Sequence, residues 1–370
     1  MSDFHFFPHT VVWEITFACN MRCIHCGTSA GKRRPDELST QEALDLIDEL
    51  TGLGCESLTL SGGEPLMRED WRLLAERVKR NGARLYMVTN GYALTPEIAR
   101  DLAELNFNHV GVSLDGTESV HNYIRQRDDS FARATNAMRY MREAGVRFCA
   151  LSQVSNINLE ELDPLHAILV DLDCKTWRIQ MCTSTGRMKS HQDLVLSLEN
   201  YPRLIDMCLE LKKAADITVD VGENIGYYGC KGNALLEDTP YAGCYAGVRI
   251  AGIESNGDVK GCLSMPEEFV EGNVRKKSFT EIWNNPDGFA YNRQFTRETA
   301  SGPCHDCRYL PLCRGGCATT SVSATGCRAN NPYCIYQMEL AAGVSAPEPQ
   351  LVTDMLEKYF PSEIKGREAV

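Results

Sequence analysis

The sequence predicts an α/β fold: a partial (β/α)6 TIM-like barrel followed by a small cysteine-rich domain with a β-hairpin. Three observations predict it. Apolar, β-branched runs alternate with helical periodicity through the first two-thirds of the chain. After about Asp220 that periodicity fades, and Gly, Cys and turn residues become dense. Closely spaced cysteines then stand at both ends of the chain. The expected boundaries are 1–220 for the barrel, 221–345 for the cysteine-rich domain and 346–370 for a helical tail.

Thr10–Phe17 is apolar and β-branched, and reads as the first strand. Ser39 with Glu42 forms a capping box, and Ala43, Leu46, Ile47 and Leu50 follow at helical spacing. A second strand ends in Leu58–Pro65, and Trp71, Leu74, Ala75 and Val78 mark the next helix. Arg84–Thr89 reads as a strand, after which Thr95 and Pro96 supply an N-cap and a first-turn proline for Ile98, Leu102 and Leu105. Further strands are expected at His109–Leu114, Arg147–Val154 and Thr176–Met181, with helices near Phe131–Ala144, Asn158–Leu172 and Ser197–Ala214. Alternation of this kind implies a parallel sheet with right-handed crossovers and a ligand site at the carboxyl ends of the strands.

Cys19, Cys23 and Cys26 sit where the first strand ends, in C-x3-C-x2-C. Three thiolates on so tight a loop hold three irons of a four-iron four-sulfur cube and leave the fourth iron free for another ligand. A structural zinc clip, with His25 or a distant thiol as fourth ligand, is the competing reading. The end of the second strand decides between them: Gly62 and Gly63 lack a Cβ and let a ligand approach the backbone, while the Glu64 carboxylate can accept from an ammonium.

Through Cys19, Cys23, Cys26 and Gly62–Pro65 the chain resembles the radical S-adenosylmethionine (SAM) superfamily. The resemblance implies that the cysteines bind a cluster, that its open iron chelates the amino and carboxyl groups of SAM, and that the Gly-Gly-Glu turn engages the amino group. His25 stands where an aromatic residue usually contacts adenine, and can still stack; a lone hydrogen-bonded histidine is the plainer alternative. Ser113 and Asp115 close the fourth strand as candidate contacts to the SAM ribose or carboxylate, although Asp115-Gly116 also suits a simple turn. Thr89, Asn90 and Gly91 close the third strand, and Gln153 and Asn156 the fifth. Arg125 is either a carboxylate partner or surface charge. The sequence names no catalytic acid or base.

The chain has 370 residues, 17 cysteines and a formal net charge of −12. Its length favours two domains. With no basic and apolar leader and no stretch long enough to span a bilayer, so many cysteines point to reduced thiols serving metal in the cytoplasm. No Lys/Arg stripe suits a phosphate backbone, so neither nucleic acid nor membrane is an expected partner.

Downstream, Val248–Ile253, an Asn256-Gly257 turn and Asp258–Gly261 read as a hairpin that brings Cys244 and Cys262 together. Cys304, Cys307, Cys313 and Cys317 follow in C-x2-C-x5-C-x3-C, then Cys334. A pair of zinc knots is the alternative. These seven cysteines, with Glu271–Asn273 and Phe279–Trp283, resemble the SPASM domain, a twin-cluster extension of radical SAM enzymes that modify peptides and proteins. The resemblance assigns Cys244, Cys262 and Cys317 to one auxiliary cluster, and Cys304, Cys307, Cys313 and Cys334 to a second. Cys230 is the best candidate for the fourth ligand of the first, with Cys327 or an open iron as alternatives. Cys55, Cys149, Cys174, Cys182 and Cys208 read as small core residues.

The expected cofactors are therefore three 4Fe-4S clusters, one SAM-binding and two auxiliary, and SAM. Reductive SAM cleavage would give a 5′-deoxyadenosyl radical that abstracts hydrogen from a ribosomally made peptide, and the auxiliary clusters would accept the electron left behind. A peptide maturase installing an oxidative modification or crosslink is the leading expectation, with an external flavodoxin- or ferredoxin-type reductant. Only about ten residues precede the first strand, too few for a winged-helix peptide-binding domain, so the expectation is either a separate leader-peptide carrier protein as a further partner or direct binding of the leader. Dehydrogenation of an aminocyclitol or modification of a tetrapyrrole are alternatives. So is sulfatase maturation, weakened because Leu263 rather than an acid follows Cys262. A non-catalytic electron carrier is a fourth reading, opposed by the intact Gly-Gly-Glu turn. In the tail, Leu351, Met355, Leu356 and Tyr359 have helical spacing.

Overall fold

The computed structural model describes residues 6–237, 239–344 and 349–359. The apolar runs of its first part are strands β1 (Thr10–Thr16), β2 (Ser57–Gly62), β3 (Arg84–Thr89), β4 (His109–Ser113), β5 (Phe148–Val154), β6 (Thr176–Met181) and β7 (Thr218–Val221). Each pairs in parallel with the next. The intervening helices are α1 (Thr40–Gly52), α2 (Trp71–Arg80), α3 (Pro96–Glu104), α4 (Glu118–Arg125), α5 (Ser130–Glu143), α6 (Leu162–Asp171) and α7 (Tyr201–Lys213). Their starts follow the capping chemistry of the sequence. Ser39 and Glu42 bond reciprocally across the first turn of α1, and Thr95 Oγ1 accepts from Ile98 N ahead of Pro96.

Two elements depart from the expected barrel. Helix α4 follows β4 directly, and β7 adds a seventh parallel strand after α7. The four residues of β7, Thr-Val-Asp-Val, are too few and too polar to stand out from the loop-rich sequence around them.

The hairpin does not form a separate sheet. Its strands β8 (Ile250–Ile253) and β9 (Asp258–Lys260) turn through Asn256-Gly257, Gly257 having φ 92°. β8 lies parallel to β1, and β10 (Gly272–Asn273) completes a ten-stranded sheet ordered β10-β9-β8-β1-β2-β3-β4-β5-β6-β7. β1, the strand carrying the first cysteine loop, thus lies between the barrel and the hairpin.

Short helices complete the chain: α8 (Gly229–Leu235), α9 (Phe279–Trp283), α10 (Ala290–Arg293), α11 (Leu310–Cys313), α12 (Ala318–Thr325), α13 (Ile335–Ala341) and α14 (Gln350–Tyr359). The main core runs without a break from Val11, Trp13 and Ile15 to Phe279, Trp283 and Phe289. At the seam Thr280 N donates to Glu49 Oε1 (2.8 Å) and Arg275 clamps Glu42. Helix α14 realises the expected tail helix, burying Val352 and Leu356 against Tyr227, Tyr228 and Tyr309; residues 346–348 and 360–370 of the tail lie outside the described residues. Among the described residues, no helix is long and apolar enough to cross a membrane.

Candidate active site

The first cysteine loop is fastened at both ends. Cys19 N donates to Gly31 O (2.9 Å) and Gly31 N to Phe17 O (3.0 Å), so the loop leaves and re-enters beside the tip of β1. Glu37, buried beneath it, accepts from Thr16 Oγ1 and from Phe17 N (2.7 Å). From beyond β6, Arg187 donates Nε to Cys23 O (2.7 Å) and Nη1 to Ala30 O (2.9 Å). Sequence reasoning missed Arg187; its place in a Gly-Arg turn just past a barrel strand is the signal that could have raised it.

The two glycines of the Gly-Gly-Glu turn serve a closer neighbour than a ligand. A Cβ on Gly63 would sit 2.7 Å from Phe17 O and nearer still to Ala18 O, and one on Gly62 would strike Thr16 O. Gly63 N donates to Thr16 O and Glu64 N to Ala18 O, both at 2.8 Å. The turn therefore locks onto the cysteine loop backbone to backbone. It also buries Glu64 completely, where Oε1 accepts from Thr89 Oγ1 (2.7 Å) and Leu66 N (3.3 Å) and Oε2 from Asn90 N (2.8 Å). Burial, partly offset by these donors, pushes the Glu64 carboxyl up to about 7. An ionised carboxylate has about four acceptor sites, so one is left on Oε2 for an incoming ammonium.

At the tip of β4 the fully buried Asp115 is committed to protein partners. Its Oδ2 receives Arg125 Nε and Nη2, both at 2.7 Å, and lies 3.3 Å from His25 Nε2; its Oδ1 accepts from Gln153 N (3.1 Å). Burial raises the Asp115 carboxyl, but Arg125 and His25 outweigh it and the net is well below the usual range. Arg125 is thus a buried carboxylate partner, and its Nη1 also lies 3.8 Å from Cys23 Sγ. Burial and Arg125 hold His121 down at about 3, which keeps its Nδ1 free to accept from Asp115 N (3.1 Å). His25 is buried with an unpartnered Nδ1. Ser113 is half-buried at the same rim, and Gln153 Nε2 donates to Gln180 Oε1 (2.9 Å).

The downstream cysteines gather into two groups. Cys304, Cys307, Cys313 and Cys334 line one recess, with Tyr227, Gly316 and Asn331. Cys244, Cys262 and Cys317 form the other, close enough that Cys244 opposes ionisation of both Cys262 and Cys317. The hairpin accounts for this, since Gly261 abuts the backbone of Ala246 and Gly247. Between the groups stands Tyr227, whose Oη accepts from Cys317 N and Asn331 Nδ2, both at 3.1 Å. Cys230 is exposed on α8, its N–H on Glu339 Oε2 (2.8 Å), and Cys327 is half-buried. Cys55, Cys174, Cys182 and Cys208 are buried, and Cys149 is half-buried.

Comparison with known proteins gives this arrangement its family. Residues 13–167 match the Radical SAM superfamily, and residues 244–308 match an iron-sulfur cluster-binding domain, SPASM. An AdoMet-dependent heme synthase of Methanosarcina barkeri is 31% identical over 345 residues, covering 89% of this chain and 97% of that protein. The chain belongs to the radical SAM superfamily and carries a SPASM domain. The mycofactocin maturase MftC of Mycolicibacterium smegmatis is 32% identical over 314 residues, 84% of this chain and 78% of that protein. Among solved structures, Streptococcus suis SuiB bound to its precursor peptide SuiA shares the fold, with a TM-score of 0.71 at 17% identity over 89% of this chain and 74% of that one. The protein is an enzyme of iron-sulfur clusters and SAM.

The residues present fit those cofactors. The spare acceptor on Glu64 and the orphaned ring nitrogen of His25 suit an amino acid and a base beside the first thiols. The buried, unpartnered hydroxyls of Tyr241 and Tyr291 lie close enough to the three-thiol group that its thiols oppose their ionisation, a place that suits donors to cluster sulfur. When bound, a SAM-ligated cluster supplies a carbon radical on one-electron reduction. This chain's part is to hold the three thiols with Arg187 and Gly63, to place Arg125 beside Cys23, and to bury the site against water.

Proposed function

We propose that this radical SAM/SPASM enzyme oxidises a ribosomally made precursor peptide, installing a crosslink or a related modification that removes two hydrogens. The observation that carries the reading is the pair of thiol groups joined at Cys317 and Tyr227, an outlet for the electron a substrate radical must lose. Three clusters are proposed in all. Cys19, Cys23 and Cys26 hold the one that binds SAM; Cys244, Cys262 and Cys317 hold the first auxiliary cluster, with Cys230 as the candidate fourth ligand; and Cys304, Cys307, Cys313 and Cys334 hold the second. Glu64 takes the SAM ammonium, His25 flanks the adenine, and Ser113 and Gln153 meet the cofactor from the rim. Asp115 acts through Arg125, whose cation offsets the Cys23 thiolate. A flavodoxin- or ferredoxin-type protein in the cytoplasm supplies the reducing electron, and a separate carrier protein presents the leader peptide.

Likeness to the mycofactocin maturase supports a peptide substrate. Likeness to AdoMet-dependent heme synthase, spanning 97% of that protein, favours a second reading in which the substrate is a tetrapyrrole. The test is anaerobic turnover of the reconstituted enzyme with SAM and dithionite. Formation of 5′-deoxyadenosine with a precursor peptide that becomes lighter by two hydrogens supports the proposal. Turnover of an iron tetrapyrrole, with none on any peptide, selects the second reading.

A further inference from the structure

Two guanidinium groups, one buried and one half-buried, lie near the three-thiol group with no carboxylate to balance them. Arg328 is 9% exposed. Its Nη1 donates to Arg314 O (2.8 Å) and Gly316 O (3.4 Å), its Nη2 to Asn292 Oδ1 (3.1 Å), and its Nε has no partner. Arg314, half-buried where α11 ends in a left-handed residue (φ 53°), donates Nη2 to Asn292 O. Every one of these bonds goes to a neutral carbonyl or amide oxygen. Among the described residues, neither arginine forms an ion pair. The two cations instead share the ring of Phe295, at 5.2 and 5.5 Å from its centroid.

Their surroundings say what they face. Arg314 packs its Cδ 3.1 Å from where a Cβ on Gly243 would stand, next to Cys244. Arg328 acts on Cys304, a member of the other group. Asn292, fully buried, ties them to the site: its Nδ2 donates to Cys244 O (2.6 Å) and Ala246 O (2.7 Å), while its Oδ1 accepts from Arg328. Asn292 therefore ties the pair to the Cys244 segment, and Arg328 reaches the Arg314–Gly316 turn that runs from Cys313 to Cys317. Burying two adjacent cations is strongly unfavourable unless negative charge lies beside them. Clusters held by three or four thiolates are anionic and supply it.

We propose that Arg314 and Arg328 are the counter-charge of the two auxiliary clusters and raise their reduction potentials. Reduction adds negative charge, which a buried neighbouring cation stabilises. The auxiliary side thus becomes the downhill destination for an electron from the substrate. The inference rests on iron-sulfur occupancy of both thiol groups and is independent of whether the substrate is a peptide.

The test is an EPR-monitored redox titration of the full, anaerobically reconstituted chain without substrate. Arg328→Gln should lower an auxiliary midpoint so that, at the wild-type midpoint, the ratio of reduced to oxidised cluster falls at least tenfold, which is 59 mV for a one-electron couple. Arg328→Lys, which keeps the charge, should hold that ratio within threefold, and the SAM-binding couple should not move in either variant. Should Arg328→Gln lose iron, Arg314→Gln, at the more exposed position, carries the same expectation. Unmoved auxiliary midpoints in iron-replete Arg→Gln variants, or equal shifts in Arg328→Gln and Arg328→Lys, would overturn the proposal. So would loss of auxiliary iron from all three variants, which would make the arginines scaffold. Iron and sulfide counts showing no auxiliary clusters in the wild-type chain would overturn it too, whatever the substrate assays give.

Discussion

Replacing Glu64 by glutamine tests the SAM site most directly, because the carboxylate has three protein donors and one vacant acceptor position. Oε1 is held by Thr89 Oγ1 and Leu66 N, and Oε2 by Asn90 N. An amide of the same shape offers only one oxygen. Turned toward Asn90 N, it sets its NH2 against Leu66 N; turned toward Leu66, it sets NH2 against Asn90 N. Either way one buried N–H loses its acceptor, at about 1–3 kcal/mol; in the first orientation the open position keeps an oxygen but loses its negative charge, and in the second an NH2 faces the ammonium. A hydrogen bond to a charged group is worth about 1.5–3 kcal/mol, so SAM should bind roughly 10- to 150-fold more weakly to Glu64→Gln. Equilibrium dialysis of labelled SAM against reconstituted wild type and variant, at matched iron content, measures the ratio. A dissociation constant within threefold of wild type would refute the assignment of Glu64 to the ammonium.

Gly63→Ala puts a Cβ against the carbonyls of Phe17 and Ala18, backbone atoms that no rotamer change can move, so the variant should lose iron from the first thiol site; retention of full iron and SAM-dependent EPR changes would count against the lock. Arg187→Ala removes two bonds to the cysteine loop, and iron release to a chelator from the first site should accelerate, with unchanged release arguing that the loop is held elsewhere. Glu14, buried in β1 beside Arg34 and Ser255, is pushed by burial from its ordinary 4.5 to about 7. Between those values the folded chain holds a proton that the unfolded chain has lost, so this stability is present below pH 4.5 and disappears as pH rises through about 7. The gap corresponds to about 3 kcal/mol. Anaerobic denaturant titrations at pH 5 and pH 8 should therefore show a larger loss of stability for wild type than for Glu14→Gln, and parallel losses would refute the role of Glu14.

Much of this was legible in the sequence for physical reasons. The cysteine spacings are chemical constraints on a short backbone, and the capping residues of α1 and α3 signal through hydrogen bonds that any helix start must make. Groups that act across the fold were less legible. Gly62 and Gly63 were expected to admit a ligand; that they also admit the backbone of their own chain at Thr16–Ala18 is a contact across parallel strands with no local sequence signature. Arg125 was open between partner and surface charge because its pairing with Asp115 joins the end of α4 to the tip of β4. Arg187 and Arg328 escaped notice because a buried arginine bonded to carbonyls looks, in sequence, like any solvated cation.

The pairing of β8 with β1 has the largest consequence for chemistry. In the proposed reaction an electron leaving a substrate held at the barrel rim must reach an acceptor across a distance that cannot fluctuate without changing the transfer rate. In this fold the loop bearing Cys19, Cys23 and Cys26 leaves the end of β1, and the hairpin that sets Cys262 is hydrogen-bonded along that same strand from Thr10 to Trp13. Charge reinforces the seam: Arg34 bridges Glu14 and Glu254, and the fully buried Lys260 pairs with Glu254 and Glu267. Breaking one member of such a network leaves a buried charge uncompensated. The spacing between the first cysteine loop and Cys262 is accordingly set by sheet register and buried ion pairs.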